Sequence, residues 1–374
     1  MNGPLHGIKV IEIGQALAGP LAGSILGDMG AEVIKIEKPD GGDDARLWGP
    51  PFIDGDSLFF HSCNRNKKSV TIDITRPDEV ARLKTLVVDA DIVIQNLRPG
   101  VVEKFGIAPD DLIAVNPRLI YCSIWAFGYQ GPLRLAPGFD PLLQAYAGLM
   151  SLTGRPSDPP TFAGAAVNDK TTGMWCVIGA LAALQQRLTT GKGCVIDTSL
   201  LESAASLIDS SVNGYMLNGR IPERTGTASG LLTPYQVFET SDRPICIAAG
   251  NDRLFVKLAQ AMGFAEWASD PRFVNGRVRA ENRPALIALM EAELAQNTRA
   301  HWMDLLEGAG VPCAPVNNIA ELAESPQLAA MDMVRGLPGT DLKILGLPIS
   351  FDRQRPHPRT DSPKLGQHNS DLKT

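Results

Sequence analysis

The sequence lacks the residue spacings that mark a metal site or a disulfide framework. Its 374 residues include six cysteines, at positions 63, 122, 176, 194, 246 and 313, with no Cys-x-x-Cys pair, and its five histidines form no His-x-x-x-His pair. Isolated cysteines in apolar surroundings behave as small buried hydrophobes. We therefore expect free thiols and no metal ion.

Strong charge and long apolar runs are also missing. The net charge at pH 7 is -6, which favours neither a nucleic-acid face nor a polybasic membrane surface. No apolar run approaches the ~20 residues of a membrane span, and the N-terminus has no basic region followed by an apolar stretch. These absences predict a cytoplasmic protein with no nucleic-acid partner and no membrane contact.

The first part of the chain alternates between strand and helix patterns. Short apolar runs predict strands, and amphipathic runs predict helices, in an order that a parallel sheet requires. The predicted strands are 8–13, 32–37, 69–74, 92–94, 119–124 and 193–199, and the predicted helices are 21–29, 77–90, 174–187 and about 200–217. This alternation predicts an α/β fold with a Rossmann-like large domain.

A different pattern follows a polar stretch at 222–234, which is typical of a linker. Two alternating runs around the turn 241–244 predict a β-hairpin, and helices are predicted near 252–262, 283–296 and 299–308. The chain length also suggests two domains, or one large domain with an insertion. We predict a large Rossmann-like domain at 1–222, a small α+β domain at 223–325, and a C-terminal segment at 326–374 that packs back on the large domain.

One carboxylate, Asp169, lies in the run 164–173 that opens the apolar helix 174–186. A helix N-terminus offers unpaired N–H groups and a positive dipole end, so a carboxylate there is expected to stay ionised and to be available as a nucleophile. The structural alternative is that Asn168 or Asp169 is simply the N-cap, a position that both residue types favour. Local sequence alone favours the cap.

The surrounding motifs change this balance. In order along the chain they lie at 5–14, 18–20, 30–37, 64–69, 96–100, 126–132, 137–140, 144–145, 148–154, 190–193 and 365–368, with Asp169 between 148–154 and 190–193. Together they resemble the class III CoA-transferases, the formyl-CoA transferase-like family, whose superfamily includes carnitine CoA-transferases and α-methylacyl-CoA racemases. The resemblance runs almost from end to end.

The resemblance implies an activity, a co-substrate and an assembly. It places the family's nucleophile at Asp169, which would form a mixed anhydride with the acyl group and then an aspartyl-CoA thioester. It implies coenzyme A as acyl-CoA co-substrate, bound by the large domain. It also implies a small carboxylic acid as partner, with a dicarboxylate such as succinate as a hypothesis, and an interlocked homodimer. It leaves the donor and acceptor acids open.

The resemblance also places residues on the path of CoA. They are Gln15, Ala16, Leu17, Ala18, Lys38, Ile72, Asp73, Ile74, Thr75, Asn96, Leu97, Arg98, Lys104, Phe139 and Asp140. Cations and turn amides suit CoA phosphates, although surface lysines are usually solvated and Asn96 has an alternative role as a turn residue. Asp140 is expected to be a structural hydrogen-bond acceptor near the pantetheine.

The sequence departs from the family at two places. The position of a familiar cation is Pro137, and the Gly-Gly-Gly-Gly-Gln-type loop of the formyl-CoA enzymes is missing. Residues 225–230 either replace that loop, as oxyanion donors, or are a hinge. This departure puts formyl-CoA and oxalate in doubt as substrates.

Three other functions have less support in the sequence. A dinucleotide enzyme would use Glu37 on the ribose, but the turn 14–20 lacks a Gly-x-Gly-x-x-Gly fingerprint and has Pro20 at the helix start. An α-methylacyl-CoA racemase needs a second acid-base residue, usually a His before the second Asp of Gly-His-Asp, and here Phe139 stands in that place. A non-catalytic CoA-binding protein would require the loss of Asp169, which is present.

Overall fold

The computed structural model describes residues 3–371 as two compact units. The described residues of the large unit lie within 1–149, 162–220 and 326–374, and the small unit comprises 150–161 and 221–325. The predicted domain division at 222/223 and 325/326 stays a prediction.

The strands, in chain order, are β1 (Lys9–Ile13), β2 (Glu32–Glu37), β3 (Phe52–Ile53), β4 (Asp56–Ser57), β5 (Lys67–Thr71), β6 (Ile92–Gln95), β7 (Ile120–Trp125), β8 (Val195–Ser199), β9 (Tyr235–Phe238), β10 (Ile245–Ala248), β11 (Cys313–Pro315), β12 (Val334–Gly336) and β13 (Lys343–Leu345).

The α-helices are α1 (Ala18–Asp28), α2 (Leu58–Asn64), α3 (Pro77–Val87), α4 (Val101–Lys104), α5 (Pro109–Val115), α6 (Asp140–Tyr146), α7 (Leu149–Leu152), α8 (Val167–Thr190), α9 (Leu200–Leu207), α10 (Asp209–Asn218), α11 (Asp252–Ala261), α12 (Gly276–Glu281), α13 (Arg283–Leu294), α14 (Arg299–Gly308), α15 (Ile319–Ala323) and α16 (Pro326–Ala330).

A six-stranded sheet in the order β5-β2-β1-β6-β7-β8 forms the centre of the large unit, and all of its pairs are parallel. Alternate residues of each strand enter different cores, as for Val10 and Ile11 of β1. Because both faces are covered, the strands are continuous apolar runs rather than alternating ones. The predicted mixed α/β class with a parallel sheet is confirmed, whereas the Rossmann-like assignment stays a prediction.

The strand order reverses at β1, which pairs with β2 on one side and with β6 on the other. In open parallel sheets the crevice outside the carboxyl ends of the strands at such a reversal is where ligands bind. The fold therefore directs attention to the segments that follow β1, β2 and β6.

Two helices of the large unit begin earlier than predicted. Helix α1 starts at Ala18 rather than at residue 21, because Pro20 lies in the first turn, where its missing N–H breaks no helical hydrogen bond. Helix α8 starts at Val167 rather than at 174. Gly173 lies inside α8 because the helix packs closely on α1 there: a Cβ atom at Gly173 would lie 2.8 Å from the Ala18 carbonyl oxygen.

The small unit contains the antiparallel sheet β11-β10-β9. The predicted hairpin is present as β9 and β10, and the three predicted helices correspond to α11, α13 and α14. The short strand β11 was not predicted. In the large unit, the predicted helix at about 200–217 is in fact two helices, α9 and α10. A separate core, which includes Phe238, Phe255 and Trp302, lies within the small unit.

The described part of the C-terminal segment packs on the large unit along β5. The amide of His368 donates to the Ser69 carbonyl oxygen at 2.9 Å, and the Asn369 side chain accepts from the Thr71 amide at 2.8 Å. The Arg359 guanidinium donates to carbonyl oxygens at the end of α1, among them that of Gly27 at 2.8 Å. Within residues 3–371, no helix combines the length and apolar character that a membrane crossing requires.

Candidate functional site

A cavity of about 690 Å³ lies within the large unit, and its lining includes the segments that follow several parallel strands. Residues 15–18 follow β1, Lys38 follows β2, residues 72–75 follow β5, and residues 96–98 follow β6. This is the position that the reversal of strand order indicates for a ligand.

The cavity brings together nearly all of the residues that the sequence pointed to. Those that line it are Gln15, Ala16, Leu17, Ala18, Lys38, Ile72, Asp73, Ile74, Thr75, Asn96, Leu97, Arg98, Phe139, Asp140 and Asp169. Lys104 is not among the lining residues; it ends α4, where its ammonium lies 5.0 Å from the ring centroid of Phe105. The roles of all these residues stay predictions.

The turn after β1 is held by polar contacts on both sides. The Asn96 side chain accepts from the Gln15 amide and donates to the Gln15 carbonyl oxygen, each at 2.8 Å. The Ala16 amide donates to Asp43 at 3.0 Å, and Ala16 has a φ of 64°, in the left-handed region that is unfavourable for alanine. The turn leads directly into α1, so the first amides of that helix lie at the cavity.

Asp169 occupies the third position of α8, and the helix has no cap from its own flanking side chains. The cap comes instead from Asp140, whose Oδ2 accepts from the amides of Asn168 at 2.7 Å and Asp169 at 3.1 Å. The structural alternative, that Asn168 or Asp169 is itself the N-cap, is therefore wrong. No described residue donates a hydrogen bond to the Asp169 carboxylate, which is left available at the cavity.

Asp140 behaves as the structural acceptor that was expected. It is 3% exposed, and besides the two amides it accepts a hydrogen bond from the side-chain amide of Gln144. The Gln144 oxygen in turn accepts from the Ala163 amide at 2.8 Å. These contacts tie α6 to the segment that precedes α8 and fix where Asp169 begins its helix.

The protonation of Asp169 differs from the expectation for a helix N-terminus. Burial, with the neighbouring negative charge of Asp140, raises the pKa of Asp169 to about 7. A carboxyl with this pKa is present in both forms at neutral pH, so the prediction that it simply stays ionised is wrong. A pKa matched to the working pH is a common property of functional carboxyls.

The cations of the cavity differ in how they are paired. Lys38 forms an ion pair with Asp44 at 2.6 Å, and that contact raises the pKa of Lys38. The Arg98 guanidinium is exposed and has no side-chain partner among the described residues. Arg98 is therefore the cation that is most available for a phosphate.

Aromatic rings form another part of the cavity lining, and the sequence analysis identified only Phe139. Trp48, Phe59 and Trp125 also line the cavity, with Trp48 and Phe59 at a centroid distance of 5.4 Å. Trp125 ends β7, where its indole donates to Asp197 at 2.7 Å. The position of Trp125 at the end of a predicted strand could have identified it as a cavity residue. Trp48 precedes the β3-β4 hairpin, and nothing in its local sequence indicates a place at the cavity.

Phe139 is 59% exposed and lies in the lining immediately before Asp140. No histidine, cysteine or tyrosine is among the described lining residues. The part of the chain that the structure describes also has no group of three or more His, Cys, Asp and Glu side chains placed to hold a metal ion. The polar groups that line this cavity and could take part in a reaction are carboxylates, amides and cations.

The chain is similar to known proteins over nearly its whole length. The sequence model of CoA-transferase family III matches residues 5–369. An acetyl-CoA:oxalate CoA-transferase of Acetobacter aceti is 37% identical over 378 residues, covering 100% of this chain and 95% of that protein. A succinate–glutarate CoA-transferase of Agrobacterium fabrum is 36% identical over 378 residues, covering 99% of this chain and 94% of that protein.

A solved structure gives the same result. A CAIB/BAIF family protein from Brucella suis has a TM-score of 0.88 at 39% identity, over 99% of this chain and 98% of that one. CoA-transferases use CoA thioesters as substrates, and both relatives named above are CoA-transferases. The chain therefore belongs to CoA-transferase family III and is a class III CoA-transferase enzyme.

Proposed function

We propose that this enzyme moves CoA from an acyl-CoA donor to a free carboxylic acid, with Asp169 as the nucleophile. The observation that carries the proposal is that Asp140 and Asp169 have different surroundings and different roles. Asp140 satisfies the amides at the start of α8, so the Asp169 carboxylate lies at the cavity without a hydrogen-bond donor among the described residues.

The reaction consists of four acyl transfers that balance without a net proton. The Asp169 carboxylate attacks the thioester carbonyl; the C–S bond breaks, and a mixed anhydride and CoA thiolate form. The thiolate attacks the Asp169 carbonyl, releases the donor acid as its carboxylate, and leaves an aspartyl-CoA thioester. The acceptor carboxylate then displaces the thiolate to form a second anhydride, and the thiolate attacks the acceptor carbonyl and frees Asp169.

Each of these steps develops negative charge on a carbonyl oxygen, which needs nearby donors. Leu17, the N-cap of α1, and Ala18, its first residue, line the cavity at the positive end of the helix dipole. Gly173 lies one turn after Asp169 on the same face of α8 and approaches Ala18 closely. We propose that this packing brings the Asp169 carboxyl to the α1 amides.

The CoA part would lie along the segments that follow β1, β2, β5 and β6. Arg98 would bind a CoA phosphate without first breaking an ion pair. Lys38 would bind a phosphate only after its ion pair with Asp44 is broken. The residue contacts predicted for residues 72–75 and 96–98 are part of the same proposal. Lys104 does not line the cavity, so its predicted contact with CoA is left out of this proposal.

We propose a short dicarboxylic acid, such as succinate, as donor or acceptor. The support is the substrates in the relatives' names, which include succinate with glutarate and acetyl-CoA with oxalate. Oxalate is the weaker choice, because the glycine-rich loop of the formyl-CoA enzymes is missing from this sequence.

We also propose the interlocked homodimer that the resemblance implies. Its support is the large apolar area that the single chain leaves exposed on α8 and after it, including Trp175, Ile178, Met216 and Leu217 at 46%, 53%, 76% and 86% exposure. Patches of this kind mark interaction surfaces. Light scattering should give twice the 40.1 kDa chain mass, and a mass of one chain would reject the dimer.

The function is tested by exchange between acyl-CoAs and free acids, followed by chromatography of the CoA esters. Succinyl-CoA, acetyl-CoA and 2-methylacyl-CoAs are each offered to a panel of short acids with wild-type protein, Asp169→Ala and Asp110→Ala. Asp110 is an exposed acid in the first turn of α5, so Asp110→Ala is a matched control. Loss of transfer in Asp169→Ala alone supports the proposal, and normal turnover in that variant rejects it.

A further inference from the structure

We propose that a buried ion cluster, Glu12, Lys35 and Asp43, is a positioning device that holds the turn at residues 14–18 in its reactive geometry. The proposal rests on the proposed function, because it assigns that turn to acyl-CoA binding and oxyanion stabilisation. All three residues are buried, with exposures of 0%, 0% and 2%. None of them has been assigned a part in the reaction so far.

Lys35 is the centre of the cluster. Its ammonium lies 2.9 Å from Glu12 Oε1, 2.9 Å from Asp43 Oδ2 and 2.9 Å from the Gly14 carbonyl oxygen. The ammonium donates hydrogen bonds to Glu12 Oε1 and to the Gly14 carbonyl oxygen, and its contact with Asp43 Oδ2 is an ion pair. One of these contacts, to the Gly14 carbonyl oxygen, is with the backbone of the turn. The Lys35 ammonium is therefore held by two carboxylates and itself holds the turn in place.

Asp43 provides the second attachment. Its Oδ1 accepts from the amides of Ala16 and Ala45, both at 3.0 Å, while Oδ2 contacts Lys35. The same carboxylate therefore connects the cluster to the turn at the residue after Gln15. With Asn96 on both backbone groups of Gln15, three consecutive turn residues are held by side chains from other segments.

The backbone of the turn requires such support. Ala16 adopts a φ of 64°, a conformation that non-glycine residues keep only when their surroundings enforce it. Such conformations are concentrated at ligand-binding and catalytic sites. The Asp43 contact falls on the amide of this same residue, which links the buried cluster directly to the strained point.

The cluster also extends beneath α1, the helix that the turn begins. Glu12 Oε2 pairs with the buried Lys67 at 2.7 Å, and Gly23 of α1 leaves the space, since a Cβ there would lie 1.9 Å from the same oxygen. Burial alone would lower the pKa of Lys35, but the charges of Glu12 and Asp43 outweigh it and raise that pKa. Lys35 is therefore a permanent cation below the turn.

Buried ion pairs are weak evidence of a stabilising role, since apolar residues of similar size often serve stability as well. A cluster placed beneath the cavity, with two of its members bonded to the backbone of the turn, is better explained by positioning. Glu12, Lys35 and Asp43 do not line the cavity and would affect the substrate only through the backbone of the turn, so they are positioning residues.

The test compares Asp43→Asn with Asp28→Asn in the full-length enzyme. Asp28 is also buried, at 6% exposure, and pairs with Arg65 at 2.6 Å, but it lies at the far end of α1. Both substitutions remove one buried charge and are expected to lower the melting temperature. Only Asp43→Asn should lower kcat/KM for acyl-CoA by at least tenfold, whereas kcat/KM of Asp28→Asn should stay within threefold of the wild-type value. Asp43→Asn should also bind a non-reactive CoA thioether more weakly, as measured by calorimetry.

Two outcomes would overturn the proposal: Asp43→Asn within threefold of wild type, or equal losses of kcat/KM in both variants at equal melting temperature. Failure of the proposed function has a different signature, because wild-type enzyme itself would then show neither transfer nor thioether binding.

Hydrogen exchange of the wild-type protein covers the case in which Asp43→Asn does not fold. Amides of residues 15 and 16 are expected to exchange at least a hundredfold more slowly than those of residues 54 and 55, which lie in the β3-β4 turn without a described backbone acceptor. Equal exchange rates in the two turns would contradict the proposal.

Discussion

The Oδ2 atom of Asp140 accepts a hydrogen bond from the backbone amide of Asp169 at 3.1 Å. A carboxylate that caps a helix by binding its amides is common, but here the capped residue is itself the candidate nucleophile. The contact has two effects on Asp169: it fixes the residue in the first turn of α8, and it places a negative charge beside the carboxyl. Burial and this charge together set the pKa of Asp169 near 7.

Asp140→Asn should move the pH dependence of transfer. Asp169 attacks as the carboxylate, so kcat/KM is expected to rise with pH through its pKa. The introduced amide can still accept from the α8 amides but has no charge, so the pKa of Asp169 should fall. The ascending limb of the kcat/KM profile should therefore move to lower pH, while staying above the ordinary range of an aspartate, because burial is the larger cause. An unmoved limb would show that Asp140 has no electrostatic effect on Asp169.

Asp169→Asn should stabilise the protein at high pH. The folded state holds the Asp169 proton up to about pH 7, whereas the unfolded chain releases it near pH 4. Between these values the folded state binds more protons, so the free energy of unfolding falls as the pH rises. Denaturant unfolding should show Asp169→Asn more stable than wild type by roughly 1–3 kcal/mol at pH 8, with the difference shrinking towards pH 4.

The control for this measurement is Asp110→Asn, which changes an exposed first-turn carboxyl of α5 and should show no such pH-dependent gain. A stability difference for Asp169→Asn that is the same at pH 4 and pH 8 would mean that Asp169 has an ordinary pKa in the folded protein.

Arg98→Ala should weaken acyl-CoA binding more than Lys38→Ala does. Arg98 has no described side-chain partner, whereas Lys38 is neutralised by Asp44 at 2.6 Å. Loss of one charge-assisted phosphate contact is worth about 1.5–3 kcal/mol, so we expect KM for acyl-CoA to rise roughly tenfold or more in Arg98→Ala, with kcat little changed. Equal effects of the two substitutions, measured at the same ionic strength, would contradict this assignment.

Gly173→Ala should disturb the packing of α8 on α1. The added Cβ would lie 2.8 Å from the Ala18 carbonyl oxygen, a backbone atom that cannot turn aside. We expect a loss of about 1–3 kcal/mol in unfolding free energy together with reduced transfer. Gly308→Ala at the end of α14, where a new Cβ meets nothing within 4 Å, should instead be stabilising or neutral. Similar behaviour of both variants would show that the α1-α8 contact is loose.

The sequence was sufficient for the features that depend on local pattern. The parallel strands appear as apolar runs because both faces of the sheet are buried, and the hairpin β9-β10 is visible from its polar turn. The residues predicted to contact CoA, by contrast, were found only through resemblance to a family, and all of them except Lys104 line the same cavity.

What could not be predicted depends on contacts between distant residues. The cap of α8 comes from Asp140, 29 residues before Asp169, so local rules misassigned it. Proline and glycine suggested later starts for α1 and α8, because the packing that tolerates Pro20 and requires Gly173 is tertiary. The buried partners of Lys35 were equally hidden, since an isolated lysine in a strand predicts a solvated charge.

The most direct test of the central claim is intact-protein mass spectrometry after incubation with succinyl-CoA and other acyl-CoAs. Hydroxylamine or borohydride then traps enzyme-bound anhydride or thioester, and peptide mapping locates the trapped group. The account predicts an adduct on Asp169 that forms with productive donors and is absent in Asp169→Ala. Transfer without any adduct, or solvent deuterium at Cα of a 2-methylacyl-CoA in place of transfer, would contradict it.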